Sequence, residues 1–277
     1  MKNINNIRHT LSHVMTFAIQ ELYGQTIGLG VGPVIENGWY QDFDLETASD
    51  SKTSISIEDF NAIEKKMKEL INKDLELQHK TVSKEEAVKL AGKDKYKLSI
   101  LEDLVKDGTS EFSFYAFVDT RNNEKFKDSK FINLCSGPHI ENTKELKNIG
   151  WKLDRVSGAY WRGDENNKML QRVYGVAFET KEELEDYTKK INEAKKRDHR
   201  KLGKELDLFT IDQNVGLGLP LWKPKGAFIV NKVKRWFEDE QLKRAYVPVI
   251  TPHIGRKSLW EMSGHWGFYN DSMYPPL

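Results

Sequence analysis

Cysteine is almost absent from this sequence, since Cys135 is the only one among 277 residues. A single cysteine excludes an internal disulfide framework and suits a reducing compartment, so we expect a cytoplasmic protein. Long apolar runs are also missing, because no segment approaches the roughly 18 apolar residues that a membrane helix needs. The amino-terminal residues form no apolar signal segment either. We therefore expect no membrane partner.

The sequence also lacks an excess of either charge. It has 43 Lys and Arg residues against 42 Asp and Glu residues, a formal net charge of +1. This balance excludes a uniformly basic nucleic-acid binder but leaves a local basic patch possible. With 38% hydrophobic and 31% charged residues, the composition is that of an ordinary globular protein. The length is sufficient for two domains.

Apolar periodicity predicts a first domain that mixes helices and strands, so the expected fold class is α+β. Helical patterns cover residues 6–23 and 57–77, and Ser83 with Glu86 forms a capping box for a short third helix. The segment Gly28–Pro33 predicts a turn and the entry to a strand, not a phosphate-binding loop. Strand patterns are predicted over residues 39–43, 112–119, 131–134 and 171–178.

Charged residues dominate the segment from 181 to 206, which predicts a solvated linker helix. Acidic residues are interleaved with the basic ones, so an RNA-binding surface is the less favoured interpretation there. A helix over 227–244 and a β-run over 246–252 follow. We therefore predict a first domain over 1–179, a linker helix over 180–205 and a second domain over 206–277.

Two short pairs of potential nucleophiles, bases or metal ligands stand out. His9 and His13 are four residues apart on a predicted helix, and so share one face. The apolar stripe of that helix, which includes Leu11 and Ala18, lies on the opposite side. The two histidines are therefore either plain surface or the wall of a second contact. Cys135 and His139 form the other pair, at a Gly-Pro turn after a strand-like run.

Many segments, in one order along the chain, resemble those of bacterial threonyl-tRNA synthetases. They are Arg8–His13, Gly32–Gly38, Tyr96–Leu101, Leu134–His139, Gly158–Asp164, Asn166–Arg172, Lys196–Gly203, Leu206–Phe209 and Ser263–Trp266. Alanyl-tRNA synthetases carry a related domain with similar pairs, but the later segments favour the threonyl family.

In the threonyl family, the domain that holds these pairs edits mistakes by hydrolysing serine wrongly attached to threonine tRNA. The resemblance implies that one catalytic set lines this pocket: His9, His13, Lys97, Cys135 and His139. We further predict a substrate-binding set: Tyr40, Gln41 and Asn133. One departure concerns Asn133, because the family usually has Asp there, and an amide offers only hydrogen bonds where a carboxylate also offers charge.

The resemblance also implies partners and cofactors. Mischarged threonine tRNA is the expected partner, and no metal or other cofactor is expected for editing. Residues 226–252 resemble motif 1 of class II synthetases, which in the family builds the homodimer interface beside an antiparallel catalytic sheet. Motifs 2 and 3 are expected beyond Leu277. We therefore expect the catalytic domain to be incomplete, this chain alone not to aminoacylate, and ATP, Mg and Zn to act only in the complete synthetase.

Two alternatives belong to other functional classes. One is a zinc-dependent hydrolase, because His9, His13, Cys135 and His139 make a complete set of zinc ligands. Four protein ligands, however, would close the tetrahedron and leave no position for a reactive water, so such a site would be structural. The other alternative is an inactive binding or assembly module that depends on a partner.

Overall fold

The computed structural model describes residues 3–47 and 54–275, and the chain divides into two compact units, Met1–Glu193 and Ala194–Leu277. The helices are α1 (Ile4–Tyr23), α2 (Phe60–Asn72), α3 (Lys84–Ala91), α4 (Lys95–Lys106), α5 (Lys181–Lys196), α6 (His199–Glu205), α7 (Pro224–Lys243), α8 (Lys257–Met262) and α9 (His265–Tyr269). The strands are β1 (Gly28–Leu29), β2 (Val34–Ile35), β3 (Gly38–Asp44), β4 (Glu76–Val82), β5 (Phe112–Val118), β6 (Ile132–Leu134), β7 (Gly150–Tyr160), β8 (Met169–Phe178), β9 (Phe209–Ile211) and β10 (Pro220–Trp222).

The first unit contains two antiparallel sheets, which confirms the predicted α+β class. One sheet has the strand order β1-β3-β8-β7, with β2 paired to β3, and the other has the order β4-β5-β6. In the first sheet Tyr40 of β3 pairs with Tyr174 of β8, and in the second His79, Tyr115 and Asn133 lie side by side.

Two separate hydrophobic clusters stabilise this unit. The larger one joins α1 and α2 to the first sheet and includes Leu11, Trp39 and Val173. The smaller one packs α3 and α4 against the second sheet around Leu101 and Phe114. Asn3 precedes helix α1 and caps it, because its side chain accepts a hydrogen bond from the amide of Asn5. Because α1 is covered on most sides, it is a central element and not a surface helix.

Most predicted elements are confirmed, but three are wrong. The second helix ends at Asn72 and not at residue 77, because Asp74 has a positive φ of 51° and β4 then pairs with β5. The single linker helix over 180–205 is two helices, since the side chain of Asp198 accepts a hydrogen bond from the amide of Arg200 and begins α6. Residues 246–252 form no strand, because a strand requires a pairing partner and these residues are exposed.

Sequence patterns also missed β4, α4 and β7 in the first unit and β9, β10, α8 and α9 in the second. The second unit contains α6 to α9 and one short antiparallel pair, β9 with β10. Its helix α7 matches the predicted helix over 227–244 closely, and it carries exposed Phe228, Trp236 and Phe237. Within the described residues, no helix is both long enough and apolar enough to span a membrane.

Candidate active site

A cleft in the first unit contains most of the predicted site residues. We use the name cleft for the space lined by His9, His13, Gly30, Val31, Gly32, Pro33, Gln41, Lys97, Ile100, Leu104, Thr109, Glu111, Phe112, Ser113, Asn133, Leu134, Cys135 and Ser136. One wall of the cleft is formed by α1 and β3, which pack in the larger hydrophobic cluster. The other wall is formed by α4, β5 and β6, which pack in the smaller cluster. The cleft therefore lies where the two clusters meet.

Helix α1 places its two histidines toward this cleft. His13 is buried, with 3% of its surface exposed, while His9 is partly exposed. Their rings meet edge to face with centroids 5.3 Å apart, and the ring of His139 lies 4.1 Å from His9 and 4.4 Å from His13. The sequence left open whether His9 and His13 lie on plain surface or form the wall of a second contact. The structure shows that they form the wall of a second contact.

Cys135 lies between two of these imidazoles. Its Sγ is 3.2 Å from Nε2 of His9 and 3.3 Å from Nε2 of His139. The backbone amide of Gly137 also donates a hydrogen bond to this sulfur at 3.3 Å. The turn after β6, which contains a cis peptide bond between Gly137 and Pro138, thus returns His139 to the sulfur of Cys135.

Hydrogen bonds assign the protons on two of the rings. Nδ1 of His9 lies 3.2 Å from the carbonyl oxygen of Pro138, so this nitrogen must donate. The hydroxyl of Thr10 donates to the carbonyl of Asn6, so it accepts from Nδ1 of His139 at 3.2 Å. Both rings therefore carry their proton on Nδ1 when neutral, and both direct an Nε2 lone pair at Cys135. Since a thiol has one proton, it satisfies only one of these two acceptors at a time.

Burial keeps the three histidines neutral near pH 7. Desolvation, with a smaller effect from the charge of His9, lowers the pKa of His139 to about 3. Burial also lowers the pKa of His9, and it places the pKa of His13 well below its usual value, with charges on His139, His9 and Lys97 acting in the same direction. The site therefore presents imidazole acceptors instead of imidazolium cations.

Burial acts on the thiol and the amine as well. It raises the pKa of Cys135, although the amide of Gly137 and the charge of Lys97 oppose this shift. Burial lowers the pKa of Lys97, against the charges of Asp94 and Cys135. At neutral pH the sulfur is thus a thiol, and α4 supplies a nearly buried amine, 8% exposed, to the wall of the cleft.

Two predicted site residues do not line the cleft: His139, which contacts the sulfur of Cys135 from outside that lining, and Tyr40. Gln41 and Asn133 line the cleft, and Gln41 donates to the carbonyl oxygen of Gly30 at 2.9 Å. Tyr40 is not among the residues lining the cleft, because successive side chains of a strand point to opposite faces. Its ring instead packs under the guanidinium of Arg172, 3.8 Å away. The prediction that Tyr40 binds substrate therefore has no support from the lining of the cleft.

The loop from Gly30 to Pro33 is a part of the cleft that the sequence did not indicate. A Cβ on Gly32 would lie 2.0 Å from Oε1 of Gln41, so a larger residue there would displace the side-chain amide of Gln41. The glycine-rich spacing was the available signal, and it indicates close packing of backbone on a side chain.

The same cluster has the composition of a metal site. Among the described residues, one ligand atom each from His9, His13, Cys135 and His139 lies within 4.8 Å of the others. Nδ1 of His13 is buried and has no hydrogen-bond partner in the described part of the chain. The four ligand atoms of His9, His13, Cys135 and His139 would suit a metal ion with tetrahedral coordination. Such an ion would have a protein ligand at every position and none left for water.

Comparisons with known proteins show which proteins this sequence is similar to. The model of the threonyl and alanyl tRNA synthetase second additional domain matches residues 122–174, which include Asn133, Cys135 and His139. A threonine–tRNA ligase of Geobacillus sp. is 44% identical over 98% of this chain and 39% of its own length. One from Sulfurihydrogenibium sp. is 43% identical over 100% of this chain and 40% of its own length. One from Staphylococcus aureus is 42% identical over 98% and 39%.

The chain thus spans about two fifths of the length of these curated relatives. The match runs through both compact units and includes every residue of the candidate site. Over nearly its whole length the chain is therefore similar to threonine–tRNA ligases, and residues 122–174 match the second additional domain of threonyl and alanyl tRNA synthetases.

Proposed function

We propose that the cleft hydrolyses the ester bond between serine and threonine tRNA, and so performs the editing step of a threonine–tRNA ligase. One observation carries the proposal: the imidazoles of His9 and His13, the thiol of Cys135 and the amine of Lys97 line one cleft of the first unit, and the neutral imidazole of His139 packs against the thiol. This set can hold a water beside an ester and stabilise the charge that develops on the carbonyl oxygen.

The chemistry of the two amino acids explains why a second site is needed. Serine lacks one methyl group of threonine, and a group of that size contributes only about 1–3 kcal/mol of discrimination in a binding pocket. Serine also keeps the hydroxyl group that a threonine site recognises. A synthetase that accepts serine at low frequency therefore benefits from hydrolysing the wrong product.

The geometry suggests distinct roles for the histidines. Water attacks the carbonyl carbon, the bond to the ribose oxygen breaks, and that oxygen receives a proton. His9 is partly exposed and lines the cleft, so it best suits proton transfer. His139, with a pKa of about 3, is too weak a base for that role and serves as a hydrogen-bond acceptor. Nδ1 of His13, which has no hydrogen-bond partner among the described residues, is the position for the water.

Lys97 and Cys135 have supporting roles in this proposal. The amine of Lys97 stabilises the developing oxyanion or transfers a proton to the leaving oxygen. Cys135 binds the substrate amine or shapes the pocket. A covalent thiolate mechanism is disfavoured because burial raises the pKa of Cys135, which keeps the sulfur protonated and poorly nucleophilic.

The remaining features belong to the complete synthetase. We propose that residues 206–277 are part of a class II catalytic domain, joined to the editing domain by the helices after residue 180. The motif 1 region would form a homodimer, and ATP, Mg and Zn would act outside the editing cleft. A single cysteine fits work in the cytoplasm.

The test is incubation of the intact chain with serine-charged threonine tRNA. Release of free serine supports the hydrolytic function. Binding of the charged tRNA without release of serine would instead support a binding module. A third result, release that stops when a chelator removes one bound zinc, would support the zinc-dependent hydrolase.

A further inference from the structure

The first turn of α4 connects the two hydrophobic clusters of the first unit. The apolar face of α4 packs in the smaller cluster, with Leu101 and Leu104 making the contact. Its amino-terminal end reaches the other sheet, where the hydroxyl of Tyr96 donates a 2.6 Å hydrogen bond to the carboxylate of Asp44 on β3. Lys97 is the next residue along the helix, so this contact lies beside the amine that lines the cleft.

The acceptor of this bond is held rigidly. The side chain of Asp44 is 1% exposed, and it also pairs with Lys95 at 3.1 Å and Lys168 at 2.8 Å. Burial and the bond to Asp44 raise the pKa of Tyr96 well above its usual value, so the phenol keeps its proton and donates at every physiological pH. A charge-assisted hydrogen bond between two buried groups is among the stronger contacts in proteins.

Two further contacts fit Tyr96 to the first sheet. The ring passes so close to the backbone of Gly28 that a Cβ there would lie 2.7 Å from a ring carbon. One residue before the helix, the carboxylate of Asp94 accepts from the amide of Leu29 at 2.9 Å and caps α4 by accepting from the amide of Tyr96. The end of α4 is therefore attached to β1 and β3 across the cleft.

We propose that the hydrogen bond from Tyr96 to Asp44 makes Tyr96 a positioning residue, which holds Lys97 at its place in the cleft. Without this hydrogen bond, α4 keeps its apolar packing on the smaller cluster, but the first turn of α4 loses its contact with Asp44 on β3. Lys97 then moves away from the histidines of α1, on the opposite side of the cleft. The inference rests on the proposed hydrolysis for its kinetic consequences, whereas the placement of Lys97 is measurable without it.

The first experiment compares the intact chain with Tyr96→Phe, which removes one hydroxyl and keeps the ring that packs beside Gly28. The matched control is Tyr187→Phe, because Tyr187 packs on Phe178 away from the cleft. We expect Tyr96→Phe to lower kcat for release of serine roughly tenfold, as a displaced catalytic group does, with KM changed by less than about twofold. Equal kcat values for Tyr96→Phe and Tyr187→Phe would overturn the proposal.

A double-mutant cycle shows whether Tyr96 acts through Lys97. If it does, adding Tyr96→Phe to Lys97→Met costs little more, because the amine that Tyr96 positions is already gone. If the two losses multiply fully, Tyr96 has a structural role of its own and the positioning role is wrong.

The second experiment needs no activity. The chain is treated with an amine-specific reagent, and the modification of each lysine is followed by peptide mapping. We expect Lys97 to react at least about threefold faster in Tyr96→Phe, while exposed Lys89 and Lys106 react at unchanged rates. An unchanged rate at Lys97 would contradict the proposal. If no serine is released by the unaltered chain, the proposed function fails, and this labelling still decides the placement of Lys97.

Discussion

The sulfur of Cys135 lies 3.2 Å from Nε2 of His9, although 126 residues separate them in the sequence. Helix α1 provides the imidazole, and the turn after β6 provides the sulfur. This contact unites the two pairs that stand out in the sequence. It also places the half-buried thiol beside neutral imidazoles, which determines its reactivity.

Cys135 should react slowly with iodoacetamide in the native chain. Burial raises the pKa of its thiol, and the thiolate is the reactive form. The rate at pH 7 should be at least roughly tenfold lower than for the same cysteine in the urea-unfolded chain, and it should rise only at strongly alkaline pH. Mass spectrometry after timed quenching measures both rates. A native thiol that reacts as fast as the unfolded one at pH 7 would show that the sulfur is a thiolate.

The buried histidines should make the first unit less stable in mild acid. The pKa of His139 falls to about 3 on folding, from an ordinary value near 6.5. Between about pH 6.5 and pH 3 only the unfolded chain binds a proton at this ring, so the free energy of unfolding decreases as the pH falls through that range. Above about pH 6.5 neither state is protonated there, and the ring causes no loss of stability. At pH 5 the loss from this group is roughly 2 kcal/mol in the free energy of unfolding.

Urea denaturation at pH 7 and pH 5 measures that loss. His139→Gln removes the titrating ring, so its stability should fall less between the two pH values than that of the unaltered chain. Equal pH dependence in both proteins would mean that His139 titrates normally in the folded state.

How far the sequence predicted this site depends on the range of the interactions involved. The pairing of His9 with His13 follows from one helical turn, so the local pattern was sufficient. The meeting of that pair with Cys135 and His139 depends on strand pairing between β4, β5 and β6, which a local pattern does not contain. Only resemblance to a family joined the two pairs before the structure did.

The errors in the fold have the same origin. The apolar spacing after Asn72 continues a helix locally, but the residues from Glu76 pair with β5 and form a strand. Helix α4 was missed because its start depends on the side chain of Asp94, whose carboxylate caps the helix and also binds Leu29 far along the chain. In both places long-range hydrogen bonds outweighed the local preference.

The purified chain should contain much less than one zinc per molecule. The proposed hydrolysis requires an open position for water, and an ion held by His9, His13, Cys135 and His139 would have four protein ligands and none left for water. Elemental analysis after dialysis measures the content, with Cys135→Ser as the matched variant. One zinc per chain that disappears in Cys135→Ser would establish a structural metal site and contradict the proposed mechanism.

Limited proteolysis should divide the chain near the helices that follow β8. The second unit carries many exposed apolar side chains, including Leu217, Ile250 and Met262, and has one two-stranded sheet among its described residues. The first unit has two buried clusters. Trypsin should therefore cut within residues 195–204 and leave a stable fragment that keeps the cleft. Mass spectrometry identifies the fragment, and digestion of the first unit before the second would contradict this division.

The account depends most directly on hydrolysis by the residues of α1. The decisive measurement is the rate at which the intact chain releases serine and threonine from threonine tRNA charged with each, repeated with His13→Ala and with His199→Ala as an exposed control. We predict faster release of serine than of threonine, a loss of at least roughly tenfold in His13→Ala, and no change in His199→Ala. Equal rates for the unaltered chain and a folded His13→Ala would contradict the account.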